Sequence, residues 1–555
     1  MPYPAEIEVS VRKLEASREK RLNTKIPLIS TIERDTLVRK YHPDYAEAGR
    51  RQLLIGANKG QLFPVELANQ LEGNSRIDPD KIDLDKVDYE TDVLIIGSGG
   101  AGLSAALLAQ ENGAKVLVVT KLRLGDSNTI GAEGGTQAAD RPNDSPVLHY
   151  LDTMGGGHFE NVSDLVWAMV NDAPMVIRWL EDLGVIWDKE QDGSMRELKL
   201  AGECRKRVHS CKDHTGLEVM RVLCDEVRSH ENIDVLEFEA VIEFVMDEAG
   251  RMSGALMVNL ETNKLSLVRA KSVILATGGL GRLHTMGFPT TNHYGATGDG
   301  LVMAYRAGCS LLYGASIQYH PTGVAFPQQL AGMLVTENVR ALGGQIVNVD
   351  GEEVACNLEP RDVLASFIIR ECTKRGRGIK TPAGDNGIWE DIPLIDIIHG
   401  EGTIAQRLPT MVRQFARFGI DITKEPVLVY PSIHYQNGGV KMDTYAASEI
   451  PGLWVPGEVG GGVHGRNRLG GNATLDIYVF GRRAGKQAAE FSKKEKLGRL
   501  TLDHVRRFQQ ELVKLGIADQ RPFTPMILPN YTREIPNYLP ENYRNTLVVN
   551  KMLLT

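Results

Sequence analysis

One stretch, TDVLIIGSGGAGLSAALLAQENGAKVLVVTK from Thr91 to Lys121, constrains the fold more than any other. The apolar run Val93–Ile96 ends at the turn GSGGAG, an Ala/Leu-rich helical pattern fills Leu103–Gln110, and Lys115–Val119 forms a second apolar run. Strand, glycine turn, helix and parallel strand in this order, with GxGxxG at the turn, predict a dinucleotide site. Gly97 permits the tight turn, Gly99 lets the backbone approach a pyrophosphate, and Gly102 allows close packing of helix on strand. The helix N-terminus faces the phosphate charge. An acid closing the second strand, which would hold a ribose hydroxyl, is missing: Thr120 and Lys121 stand there, which argues against simple NAD binding.

The 555 residues suffice for several domains, and 42% hydrophobic with 24% charged content is ordinary for a soluble globular chain. A net charge of −8 gives no reason to expect nucleic acid or an anionic membrane surface. The six cysteines form no CxxC and no zinc or iron–sulfur spacing, which predicts reduced thiols and no metal site. No signal peptide is visible in the charge-dense first thirty residues, and a cytoplasmic protein is expected. Val93–Gln110, a long uncharged stretch, is glycine-rich and belongs to the nucleotide turn, so no membrane span is expected.

Residues 1–90 match no motif and form an N-terminal extension, either a surface packing arm or a docking arm for a partner; Arg12–Arg21 suggests a solvated helix. Residues 91–311 form the first α/β block, which includes a second glycine-rich strand end at Ala276, Thr277 and Gly278. Within it, alternation over Asn232–Val258 predicts a small antiparallel insertion. Residues 312–432 carry the polar clusters HPTG and EPRD, and residues 433–490 return to Gly-rich strand and helix. In residues 491–555 an amphipathic helix over 501–516 places Leu502, Val505, Phe508, Leu512 and Leu515 on one face. Pro522, Pro525, Pro529, Pro536 and Pro540 then impose an extended tail.

Nine motifs in order, GSGGAG, SNTIGAEGG, ATGG, ATGDG, QYHPTG, TENVRALGG, EPRD, IHYQNGG and GEVGGGVHGRNRLGGN, resemble the flavoprotein subunit of the fumarate reductase/succinate dehydrogenase family from about Thr91 to Gly485. L-aspartate oxidase shares that superfamily. The resemblance implies an α/β fold: a Rossmann-like FAD-binding domain (91–311 and 433–490) with an inserted α+β capping domain (312–432), flanked by the N-terminal extension and a short helical C-terminal region. It implies FAD held by Gly97, Gly99, Gly100, Ala101, Gly102, Thr120, Lys121, Ala276, Thr277, Gly278, Asp299, Arg468, Ala473 and Leu475. Glu458 would meet the ribityl chain, and the loop from Ser127 through Asn128 and Thr129 to Gly134 and Gly135 would run along the isoalloxazine. Members with covalent flavin carry Ser-His-Thr where this chain has Ser127-Asn128-Thr129. Asparagine cannot make that bond, so FAD should be non-covalent, its potential lower, and the bias toward alkene reduction.

The resemblance further assigns His320 and Thr322 to one carboxylate of fumarate or succinate, and His434 and Arg468 to the other. Arg361 would donate the proton and Glu337 would relay protons to it. An arginine fork suits a carboxylate, and hydride addition builds charge that such donors stabilise. With no cluster ligands in the chain, electrons are expected from an iron–sulfur partner. Departures from the family are Gly471-Asn472-Ala473 in place of Ser-Asn-Ser, Arg466 in place of a small residue, and a shortened C-terminal region. Two other readings stand beside this one: L-aspartate oxidase or another unsaturated-acid reductase, and a non-catalytic electron-transfer subunit.

Overall fold

A computed structural model describes residues 3–529 and Tyr531. Four strands, Ile233–Leu236, Val116–Val119, Tyr89–Ile96 and Leu265–Leu275, run parallel in that spatial order, and Leu453–Trp454 adds beside the C-terminal half of the last. Their apolar stretches are buried, with the helices Gly100–Glu111 and Asn472–Lys494 packed against them. Ile95, Val118 and Ile274 are fully buried. The helix Gly100–Glu111 follows the first strand and is buried along nearly its whole length, under the helix Asn472–Lys494.

Leu265–Leu275 belongs to two layers at once. Its N-terminal half pairs antiparallel with Met252–Asn259, which pairs antiparallel with Glu239–Asp247. The antiparallel insertion is therefore this hairpin, while Ile233–Leu236, expected within it, extends the parallel sheet.

A separate sheet orders Ile317–Phe326, Val427–Gln436, Asn386–Asp391 and Gln345–Val347, all antiparallel. Val427–Gln436 runs through the expected junction at 432/433, so His434 is carried on a strand of this second sheet. The helix Arg361–Ile369 packs against Ile317–Phe326.

The first helix, Ala5–Leu22, is solvated along one face only. Ile7, Val11 and Leu14 are buried, and Arg21 pairs with the buried Asp391 at 2.7 Å. A Ser30/Glu33 capping box starts the helix Thr31–Tyr41. In the C-terminal region the helix spans Asp503–Lys514, and Leu502, Val505, Phe508 and Leu512 are buried as expected. Leu515 is not: it follows the last turn and is 47% exposed. Pro536 and Pro540 lie outside the described residues. Among the described residues no helix is long and apolar enough to cross a membrane.

Candidate active site

Two joined cavities run from the glycine turn to the second sheet. The first, of about 900 Å³, is lined by the turn and by the ends of the parallel strands. The second, of about 1170 Å³, lies between the Ser127–Gly135 loop and the second sheet. Ser127, Asn128, Thr129, His293, Glu458 and Ile477 line both.

At the first cavity the turn is formed by backbone fit. Gly97 has φ +105°, and a Cβ there would stand 2.4 Å from the carbonyl of Ala276. A Cβ on Gly102 would stand 2.0 Å from the carbonyl of Gly97. Helix Gly100–Glu111 has no cap from its own preceding residue, and apart from the Gly100 N–H, which donates to Thr129 Oγ1 at 3.1 Å, its first-turn N–H groups are left for a ligand. Buried polar atoms without a protein partner face the same space: Thr277 Oγ1, and one carboxylate oxygen of Glu239. A helix start with free N–H groups, a turn bare of side chains at its glycines, and orphaned hydroxyl and carboxylate groups fit the pyrophosphate and ribose of FAD.

Glu239 answers the acid missing after Val119. Its N–H donates to the carbonyl of Thr120 at 3.0 Å, and its side chain lines the cavity. It arrives from the neighbouring hairpin strand, which no local motif announces. Lys121 is engaged by Asp299 at 2.6 Å, by Thr297 at 2.7 Å and by the carbonyl of Ile527 at 2.6 Å. The C-terminal segment is therefore tied to Lys121 and Asp299 of the cleft wall, a contact that no motif foreshadows.

Between the cavities, Asn128 is held at both ends of its amide. It donates to Glu458 at 3.2 Å and accepts from the N–H of His293 at 2.7 Å. Burial raises the Glu458 carboxyl, and the N–H of Gln436 and the Asn128 amide oppose that rise. Glu133, in the same loop, lines the second cavity with one carboxylate oxygen unpartnered, and burial followed by Asp213 holds its carboxyl well above the usual range.

The second cavity gathers side chains from five segments. Arg361, first residue of its helix, donates to Glu337 at 2.6 Å and to Gln318 Oε1 at 2.9 Å. Arg468 donates to the same Gln318 oxygen at 3.0 Å and lies 4.5 Å over the Tyr435 ring. His320 and His434 stand with ring centroids 5.0 Å apart, and His434 Nδ1 bonds Thr291 Oγ1 at 2.7 Å. Burial, then Arg361, keeps both imidazoles well below the ordinary value and so neutral. Burial alone would raise Glu337, but Arg361 and Arg340 bring it down to about 2. Burial, then the facing Arg361, lowers Arg468 to about 9. Glu337 is the carboxylate shared by two of these guanidiniums, Arg361 at 2.6 Å and Arg340 at 3.5 Å. The cluster is rich in buried cation, and a ligand that completes it is an anion.

Of the residues expected at the cofactor, Gly97, Gly99, Gly100, Ala101, Thr120, Lys121, Ser127, Asn128, Thr129, Ala276, Thr277, Gly278, Asp299 and Glu458 line the first cavity. Gly134, Gly135, Arg468 and Ala473 line the second. Gly102 and Leu475 line neither: Gly102 packs under the turn and Leu475 is fully buried. Arg361, His320, Glu337 and His434 line the second cavity, whereas Thr322 does not. Thr322 lies behind His320, 3.2 Å from Nδ1, and donates to the carbonyl of Val335. Gln318 opens the QYHPTG motif but takes no role from the resemblance; only the folded chain shows it bridging both arginines. Asp140, Glu197 and His209 converge away from both cavities, with Arg141 3.6 Å from Glu197 already supplying positive charge there.

The profile of the FAD binding domain family matches residues 92–474. One of the subunits of the CoM/CoB fumarate reductase of Methanothermobacter marburgensis is 39% identical over 414 residues, 72% of this chain and 73% of its own. L-aspartate oxidase of Streptomyces coelicolor is 35% identical over 407 residues, 71% of this chain and 67% of its own. A mutant of the Escherichia coli quinol fumarate reductase superposes with a TM-score of 0.69 at 31% identity, covering 78% of this chain and 74% of that one. Glycine turn, orphaned polar groups beside it, and this likeness agree: the chain is an FAD-dependent oxidoreductase belonging to the fumarate reductase/succinate dehydrogenase flavoprotein family.

Proposed function

We propose that this chain reduces the double bond of fumarate or a close dicarboxylate relative. The observation that carries the reading is the pair Arg361 and Arg468, both on one amide oxygen, flanked by two neutral imidazoles and opening beside the Asn128 loop. FAD, when bound, supplies the hydride. Arg468 and His434 grip one carboxylate of the substrate and His320 the other, with Thr322 orienting His320 from behind. Arg361 protonates the carbon opposite the one that accepts hydride. An arginine is a weak acid, but the carbanion-like carbon it meets is a strong base, so transfer runs downhill at that instant. Glu337, ionised beside Arg361 at rest, takes up a proton from solvent and passes it on once Arg361 has given up its own, which restores the guanidinium. Burial of the whole set strengthens each charge interaction in the transition state.

Asn128 offers no nucleophile to the flavin, so the cofactor is held non-covalently and the balance favours reduction over succinate oxidation. Electrons enter from an iron–sulfur partner. Oxidation of aspartate would need an anion facing the substrate ammonium. Glu337 is committed to two arginines and the Glu133 carboxyl is pushed toward its neutral form, so the cavity favours the dicarboxylate reading.

Purified protein assayed with reduced viologen should turn over fumarate and show no oxygen-dependent turnover of aspartate. Acid precipitation should leave the flavin in the supernatant. Aspartate oxidation without fumarate reduction would overturn the substrate, and flavin pelleting with the polypeptide would overturn the Asn128 argument.

A further inference from the structure

The N-terminal arm lies outside the 92–474 family match, yet it reaches the sheet, the helix and the strand that carry the arginine cluster. Helix Ala5–Leu22 grips the second sheet: Trp389 Nε1 donates to Ser10 at 2.9 Å, and Arg18 and Arg21 hold the buried Asp391 at 2.8 and 2.7 Å. Helix Thr31–Tyr41 packs on helix Arg361–Ile369. Just before that helix, the buried Glu359 accepts from the N–H of Ile29 at 2.7 Å and from Arg34 at 2.9 Å. Just inside it, Asp362 bonds His158 at 2.7 Å, and Asp35 of the arm stands 3.9 Å from the other His158 nitrogen. Asp44 accepts from the N–H of Ile317 at 3.0 Å, beside Gln318 on the same strand.

Resting on the proposed role of Arg361, we propose that the arm is part of the catalytic apparatus: Arg34 and Ile29, through Glu359, and Asp44, through Ile317, are positioning residues for Arg361 and Gln318. Arg361 follows Glu359 by two residues with only Pro360 between them, so little of a shift at Glu359 can be absorbed before it reaches the guanidinium. Arg361 and Arg468 share one oxygen of Gln318, so a shift at Ile317 disturbs both cations. A displacement of about 1 Å at a reacting group can lower the rate about a hundredfold. Burial pushes the Glu359 carboxyl up, and the Ile29 N–H together with Arg34 opposes that push; without Arg34 the anion is left short of a partner.

The test uses the full-length flavoprotein with Arg34→Ala, Arg34→Lys and, as a reference, Arg361→Ala, each assayed per bound flavin with fumarate and reduced viologen. Arg34→Ala should lower kcat at least about tenfold with KM within about threefold, raise the solvent deuterium isotope effect on kcat, and retain FAD. Amide hydrogen exchange over residues 359–369 should speed up, while residues 97–111 stay protected. Arg34→Lys, which restores the charge, should recover part of kcat. Unchanged kcat in Arg34→Ala, or a loss explained wholly by lost FAD, would overturn the arm's role while leaving an inactive Arg361→Ala to uphold the parent reading. Full activity in Arg361→Ala would instead overturn the parent reading.

Discussion

The two ends of the cleft are built from different materials. At the nucleotide end the defining part of the wall is main chain: consecutive residues of one turn, a helix start without a cap from its own preceding residue, and two glycines that no side chain could replace without striking a carbonyl. At the other end the wall is side chains, His320, Glu337, Arg361, His434 and Arg468, brought together across a sheet, two short helices and a loop, with Gln318 accepting from both arginines. The first end offers partial charges fixed by backbone geometry, which suits a cofactor that stays. The second concentrates full charges in a buried space, which suits a reaction in which charge develops and is then discharged.

That contrast predicts opposite phenotypes. The largest effect is expected from Arg361→Ala: kcat for fumarate should fall by about 10³-fold, within the general-acid range, with FAD content unchanged. Anaerobic steady-state kinetics and the flavin absorbance of the same preparation check both halves. Loss of flavin with the arginine would erase the distinction between the ends. Gly102→Ala should do the reverse. A methyl group 2.0 Å from the Gly97 carbonyl forces the turn open, at about 1–3 kcal/mol for overpacking, and FAD affinity should fall about tenfold or more. Fluorescence titration of the apoprotein measures it, and turnover per bound flavin should stay near the parent value.

Gln318→Ala comes next. Removing the oxygen shared by Arg361 and Arg468 leaves two buried guanidiniums facing each other and should lower kcat/KM about tenfold, since bonds to charged groups are worth about 1.5–3 kcal/mol. The smallest effect is on pH. Neutral His320 and His434 lie well below 6.5, so kcat/KM should cross that value without an inflection. Glu337, depressed from 4.5 to about 2, contributes stability that is complete above 4.5 and is lost as pH falls toward 2. Comparing melting curves of the parent and Glu337→Gln at successively lower pH, from above 4.5 downward, should show their difference shrinking toward acid.

Legibility follows the same division. GSGGAG, its flanking strands and its helix stand in one segment, so period and turn residues are enough to place them. Glu239 cannot be found that way, because it reaches the Thr120 end from a neighbouring strand. Arg12–Arg21 reads as a solvated helix because its charges are dense, yet Arg21 is buried against Asp391, a partner 370 residues away. Leu515 fits the apolar face by spacing, but the helix ends before it and leaves it in solvent. Resemblance brings His320, Glu337, Arg361, His434 and Arg468 into view as separate motifs; their distances are not in the motifs.

The amino-acid order alone determined the dinucleotide turn, the parallel strands beside it and the asparagine, rather than histidine, at position 128, because each is a property of residues close in the chain. The folded structure decided which cations share an oxygen, which imidazoles are neutral, and that the N-terminal arm braces the arginine helix. Those are long-range matters: burial and charge pairing depend on which segments the sheet and its covering helices bring within a few ångströms, and no local pattern encodes that distance.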